Sequence, residues 1–162
     1  MDVMATIRKI QSKDNFMRWK DVNEDACLTS AFSMYSEGEK REWLASYYNC
    51  KSEKMTTFSL NNEKGHEEAF KKEKDIPKLK LFEVKINDDK AVEAANKILH
   101  ANYPGEKVQR TIMVLQKLET EPLWNVTFIT ATLKVVNIKL SAINAKKISH
   151  SMSNISDFMQ RK

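Results

Sequence analysis

The stretch Pro122–Ile148, PLWNVTFITATLKVVNIKLSAINAKKI, decides the reading of the fold. Trp124, Val126, Phe128 and Thr130 alternate with Asn125, Thr127 and Ile129, and Leu133 to Leu140 repeats the enrichment in β-branched residues. That is the pattern of strands with one buried face, so two antiparallel strands and a shorter third are expected here. Side chains two positions apart share a strand face, and Trp124 and Phe128 therefore need an apolar cover. The segment Ala91 to Ala101 offers one. Ala91, Ala94, Ala95, Ile98 and Leu99 fall on one helical face, Asn87 or Asp88 caps its start, and Tyr103 and Pro104 end it.

Upstream, Met4 to Val22 reads as helix with apolar contacts from Ile7, Ile10, Phe16, Met17 and Trp19, broken near Ser12, because Ser and Asn prefer caps to helix interiors. Cys27 to Tyr35, Glu42 to Tyr48 and Met55 to Leu60 are strand candidates, and SEGEKRE between the first two carries Gly38 for a turn. Residues 61–80 change character, with twelve Asp, Glu, Lys and His side chains among twenty. They read as a charged linker, with a short helix over Gly65 to Lys74. Leu81 to Ile86 reads as a short strand or extended entry, and Val108 to Gln116 as the strand before Trp124.

The order helix, strand, strand led by tryptophan, strand thus occurs twice. EWLASYY at Glu42 parallels LWNVTFI at Leu123, and KMTTFSL at Lys54 parallels KVVNIKL at Lys134. The expected organisation is α+β: an N-terminal helix plus three-stranded unit over 1–62, a linker over 63–80, and a second unit over 81–162, as an internal repeat. A single larger α+β sheet is the alternative.

Composition bounds what such a chain does. Hydrophobic residues make up 41% and charged residues 30%, far from the apolar-poor signature of disorder. No apolar run approaches the roughly 18 residues of a membrane span, and MDVMATIRKIQSKD lacks a signal-peptide core, so a cytoplasmic protein without membrane contact is expected. The net charge of +5 arises beyond residue 65, where seventeen Lys and Arg face twelve Asp and Glu. Such a bias favours an acidic partner; a solvated lysine face is the ordinary explanation, and nucleic acid is a minor reading.

Chemical motifs fail one by one. Gly38, Gly65 and Gly105 are too dispersed for a phosphate-cradling loop. His66-Glu67-Glu68 has Phe70 where a zinc-protease helix needs its second histidine, and His66, His100 and His150 are far apart. Cys27 and Cys50 build no metal framework. A hairpin about SEGEKRE brings them close to opposite one another, and a bridge needs α-carbons within about 7 Å; free thiols are the expectation for a cytosolic chain. No catalytic residue, cofactor or metal is therefore expected, and the protein reads as a non-enzyme.

From Tyr103 to Ile148 the order Tyr-Pro, a variable strand, PLWNVTF and then VVNIKLSAINAKKI resembles the PepSY domain family. Trp124 and Val126 match the family's Trp-x-Val element and Ala142 its alanine, while Ser141 stands where aspartate is usual and Ala145 where glycine is usual. The resemblance spans about 60 residues, Asp88 to Ser149. It implies tandem PepSY-like or cystatin-like units, a helix on an antiparallel sheet, associated with restraining peptidases and bringing no catalytic residues.

The function expected is binding of a protein or peptide partner through an exposed strand edge, which also allows a homodimer. Trp43, Tyr47, Tyr48, Trp124 and Phe128 are the candidate contact residues. The alternative is a small-molecule binder or enzyme of the nuclear-transport-factor-like type, whose mark is an aromatic-lined cavity of roughly 300 Å³ or more with ionisable walls.

Overall fold

A computed structural model of the chain describes residues 1–62, 64–71 and 75–160. Two short helices, α1 (Val3–Gln11) and α2 (Asp14–Val22), lead into β1 (Ala26–Tyr35), β2 (Leu44–Asn49), β3 (Lys54–Phe58) and β4 (His66–Ala69). Helix α3 (Asp88–Asn102) leads into β5 (Val108–Leu118), β6 (Glu121–Thr130), β7 (Lys134–Ser141) and β8 (Lys147–Asn154), with α4 (Ile155–Gln160) after it. These strands form one antiparallel sheet in the order β4-β3-β2-β1-β5-β6-β7-β8.

The expectation of two tandem helix-on-sheet units is thereby corrected. Helix followed by a four-strand meander does occur twice, but the first strands of the two meanders pair with each other. Ser30 to Tyr35 of β1 lies antiparallel to Gln116 to Thr111 of β5, and no boundary interrupts the sheet there. The core is equally continuous, because Trp43, just ahead of β2, packs on Trp124 of β6 with ring centroids 5.8 Å apart. What joins the halves is a strand pairing about 80 residues apart in sequence, which no local periodicity reports.

The helices cover one face. Trp124, Val126 and Phe128 of β6 and Val136, Ile138 and Leu140 of β7 are buried beneath α3, which contributes Ala91, Ala95 and Leu99. Small alanines let α3 approach the sheet closely, and Asn87 caps it by accepting from the Lys90 N–H at 3.0 Å. Helix α1 is capped by Asp2, and the chain turns at Ser12 into α2, whose Phe16 and Trp19 close an aromatic cluster with Tyr47 and Phe58. The opposite face is a mixed surface. There Asn137 donates to Asn125 and Thr127 across β6 and β7, beside half-buried Phe32 and Ile112.

The charged stretch is woven into the fold. The expected helix over Gly65 to Lys74 is instead β4, its last three residues lying outside the described residues; a strand of His-Glu-Glu-Ala at a sheet edge shows no apolar alternation. Residues 75–86 then run along one end of the sheet. The Leu79 N–H donates to Leu28 O at 2.8 Å, Glu83 pairs with Lys117 at 3.0 Å, and the Lys85 and Ile86 N–H groups both donate to Ala142 O. Leu81–Glu83 is a 3-10 turn rather than a strand. Ala142, whose carbonyl takes both donors, is fully buried. The neighbouring Ala145 takes a φ of 62°, the left-handed conformation usually given to glycine.

Tyr47 yields a prediction. Burial pushes its hydroxyl up to about 12, against a smaller lowering by the Gln11 amide that donates to it at 3.0 Å. The fold therefore favours the neutral phenol. That contribution is complete below the unfolded value of about 10 and is lost as pH rises towards 12, a loss of about 2–3 kcal/mol. Urea unfolding at about pH 8 and about pH 11.5 should show the loss in the native chain and lack it in Tyr47→Phe. An equal loss in both would assign the alkaline weakness to other groups.

Candidate functional site

The five side chains singled out from the sequence do not converge. Trp124, Phe128 and Tyr47 are at most 3% exposed and serve as filler of the core. Tyr48 points to the other face of β2, where its ring meets Phe70 edge-on at 5.9 Å. Tyr48 also lines a cavity of about 270 Å³ with Cys27 and Cys50, and Trp43 borders another. It is 2% exposed yet forms part of the wall of a cavity of about 320 Å³ beneath α1 and the β1–β2 loop. The cysteines are both free thiols. Cys27 lies opposite Tyr48 in the β1–β2 register, so Cys50 sits two residues past the opposed position and the bridging arrangement is not reached.

Arg41 closes one side of that cavity. Its guanidinium pairs with Asp88 at 2.8 Å and Asp89 at 2.7 Å and lies 4.9 Å from the Tyr35 ring centroid. Partial burial lowers its pKa, but Tyr35 and the two carboxylates outweigh that and hold it above the ordinary value. Among the described residues no three His, Cys, Asp or Glu side chains are arranged to hold a metal ion.

The two sheet edges differ in chemistry. Strand β4 is four residues long and carries Glu67 and Glu68, a short charged edge of the kind that discourages pairing. Strand β8 is eight residues long, pairs with β7 on one side, and among the described residues has no strand on the other. His150 and Met152 lie opposite Ile138 and Val136 on the helix side, with Ser149, Ser151 and Ser153 on the reverse. His150 fixes the strand to the end of α3, its Nδ1 hydrogen-bonded to the Tyr103 hydroxyl at 2.7 Å. On either side of that anchor Ile148 and Met152 are about half exposed.

Charge gathers at the same edge. Lys146 and Lys147 stand at the start of β8, while Lys139 and Lys134 lie opposite Ser149 and Asn154; the nearest acid in sequence is Asp157, in α4. Composition had placed a basic excess in this half but not at this edge. β8 itself was missed because both its faces are wet, although Ile148, His150 and Met152 alternate with three serines in a legible period of two.

No family model matches the chain, and no curated protein does. Among solved structures, the crystal structure of a candidate lipoprotein from Clostridium difficile 630 superposes with a TM-score of 0.56 at 14% identity, covering 86% of this chain and 91% of that one. No helix among the described residues is long and apolar enough to cross a membrane. At that identity the likeness shows a shared fold and nothing about activity, and the PepSY resemblance gains no support from it.

Proposed function

We propose that the chain is a non-enzymatic binding protein that receives an acidic, extended segment of a partner protein along the open edge of β8. The observation that carries this reading is an eight-residue edge strand, held rigid by His150 and Tyr103 and flanked by four lysines. Alternate residues of such a strand turn their N–H and C=O groups away from β7, so an added strand gains main-chain hydrogen bonds without any special side-chain chemistry. The lysines then select for negative charge. Restraint of a peptidase is the narrower form of this reading, taken from the family resemblance.

The test is an NMR titration with a synthetic ten-residue peptide of alternating valine and glutamate. Amide shifts should concentrate in β8 and its flanks, and affinity should fall as salt is raised past about 0.1 M, where the screening length shrinks to about 10 Å. A peptide in which lysine replaces glutamate should bind at least about tenfold more weakly. Shifts centred on β4, or none at millimolar peptide, would sink the reading. Dimerisation of the free protein through β8 would replace the peptide with a second copy.

A further inference from the structure

Cys27 and Cys50 are the only cysteines of the chain, and the fold brings both to the wall of one cavity of about 270 Å³. Both are within reach of solutes, since Cys50 is exposed and Cys27 is partly so. In the β1–β2 ladder Cys27 lies opposite Tyr48, and the last pair is Ala26 with Asn49, so Cys50 follows at the start of the turn and falls level with Asp25. The Lys51 ammonium pairs with the Asp25 carboxylate at 2.9 Å, which marks the two segments as neighbours at that level. Cys27 leans the same way. Its thiol donates to the Asp25 carbonyl at 3.6 Å, back along β1 towards the level of Cys50.

Thiols at diagonal positions are not a disulfide at rest. Diagonal neighbours on paired strands have α-carbons about 7–8 Å apart and a bridge needs about 4.4–6.8 Å, so closing it takes a shift of roughly 1 Å. The turn supplies that freedom. Cys50 lies beyond the last β1–β2 pair and beyond Asn49 with Lys54, the last pair of β2 with β3, so its backbone moves without breaking either ladder.

We infer that Cys27 and Cys50 form a peroxide-sensitive thiol pair that closes to a disulfide within one chain. Exposed Cys50 reacts first, because access decides which thiol a peroxide meets. Its thiolate sulfur attacks one oxygen of hydrogen peroxide, the O–O bond breaks, and the departing hydroxide takes up the thiol proton as water, leaving a sulfenic acid. The Cys27 thiolate then attacks the Cys50 sulfur, the S–O bond breaks, and the second hydroxide leaves with the Cys27 proton, again as water. Two thiols and one peroxide thus become one disulfide and two waters, and a dithiol reductant reverses the bridge. The bridge pins the start of β1 to the turn between β2 and β3. The pair is remote in the sheet order from β8, so this inference and the edge-strand reading can fail separately.

Treating the reduced chain with a small excess of hydrogen peroxide at low protein concentration, then counting thiols after unfolding in urea, reads the pair directly. The count should fall from two to none, with the intact chain lighter by two hydrogens, monomeric without reductant, and restored by dithiothreitol. In Cys27→Ser no second thiol resolves the sulfenic acid, so dimedone should trap Cys50 there at least about fivefold more than it traps Cys27 in Cys50→Ser. Neither cysteine belongs to the buried core, and circular dichroism checks that both variants keep the fold. Thiols that survive peroxide, that gain oxygen instead of losing hydrogen, or that link separate chains would overturn the inference, as would equal trapping in the two variants.

Discussion

Trp124→Ala is expected to lower the unfolding free energy by about 3–5 kcal/mol, and both halves of the sheet should lose that stability together. Trp124 is fully buried at the centre of β6, faces Leu115 and Leu140 across its two neighbours, and donates to Ile86 O. Truncation removes the largest core side chain, strands the Ile86 carbonyl, and opens a void under Trp43 that main-chain movement cannot close without breaking the β5 and β7 ladders. A domain has about 5–15 kcal/mol in all, so the loss is a large share. Cooperativity is the sharper readout. In the substituted protein Trp19 and Trp43 both remain, so the resolved indole NMR resonance of Trp19 is used to report the aromatic cluster of Phe16, Tyr47 and Phe58, while far-ultraviolet circular dichroism reports the whole sheet. Both should shift to the same lower urea midpoint. A Trp19 transition left where it was would mean that the halves fold independently and that the β1–β5 seam is weak.

The limits of legibility follow from the same seam. Strands with one face well buried were readable: β6 alternates from Trp124 to Thr130 and β7 from Val136 to Leu140, where α3 covers one side, and the caps at Asn87 and the break at Ser12 follow from side chains that compete for backbone hydrogen bonds. Strands with neither face buried were not, so β4 with its HEEA and β8 with its serines escaped, and each meander seemed one strand short. The joining of β1 to β5 left no trace in sequence, since Phe32 opposite Val114 and Ala31 opposite Leu115 look the same whether they pair with each other or with other strands. Tryptophans were a mixed guide. Indole is large enough to be core filler wherever it falls, and its N–H is satisfied in Trp124 but has no acceptor among the described residues in Trp19 or Trp43. Lys9, Lys13 and Lys40 come to line one cavity with Trp43 because the α1–α2 break and the β1–β2 loop meet, which is a tertiary fact.

Asp88 carries the second large effect, because it ties three separate pieces of chain at one carboxylate. Its Oδ1 accepts from the N–H of Val3, at the start of α1, at 3.1 Å, its Oδ2 pairs with Arg41 of the β1–β2 loop at 2.8 Å, and it is itself the first residue of α3. The side chain is 3% exposed, so these partners replace water almost entirely. Asp88→Ala is expected to cost about 3 kcal/mol, at the lower end for breaking a buried pair because Arg41 keeps Asp89. Asp88→Asn keeps an oxygen for the Val3 N–H and loses only the charge, which sets its cost at about 1–1.5 kcal/mol. Urea unfolding at unchanged m-value measures both. A cycle with Arg41→Met should give a coupling of about 1–2 kcal/mol between Arg41 and Asp88. Equal costs for Asn and Ala would locate the whole effect in the charge, and costs below about 0.5 kcal/mol for both would mean the carboxylate behaves as a surface group. The ordering Ala well above Asn, with measurable coupling, is what a carboxylate pinning α1, α3 and the loop beside the Trp43 cavity must produce.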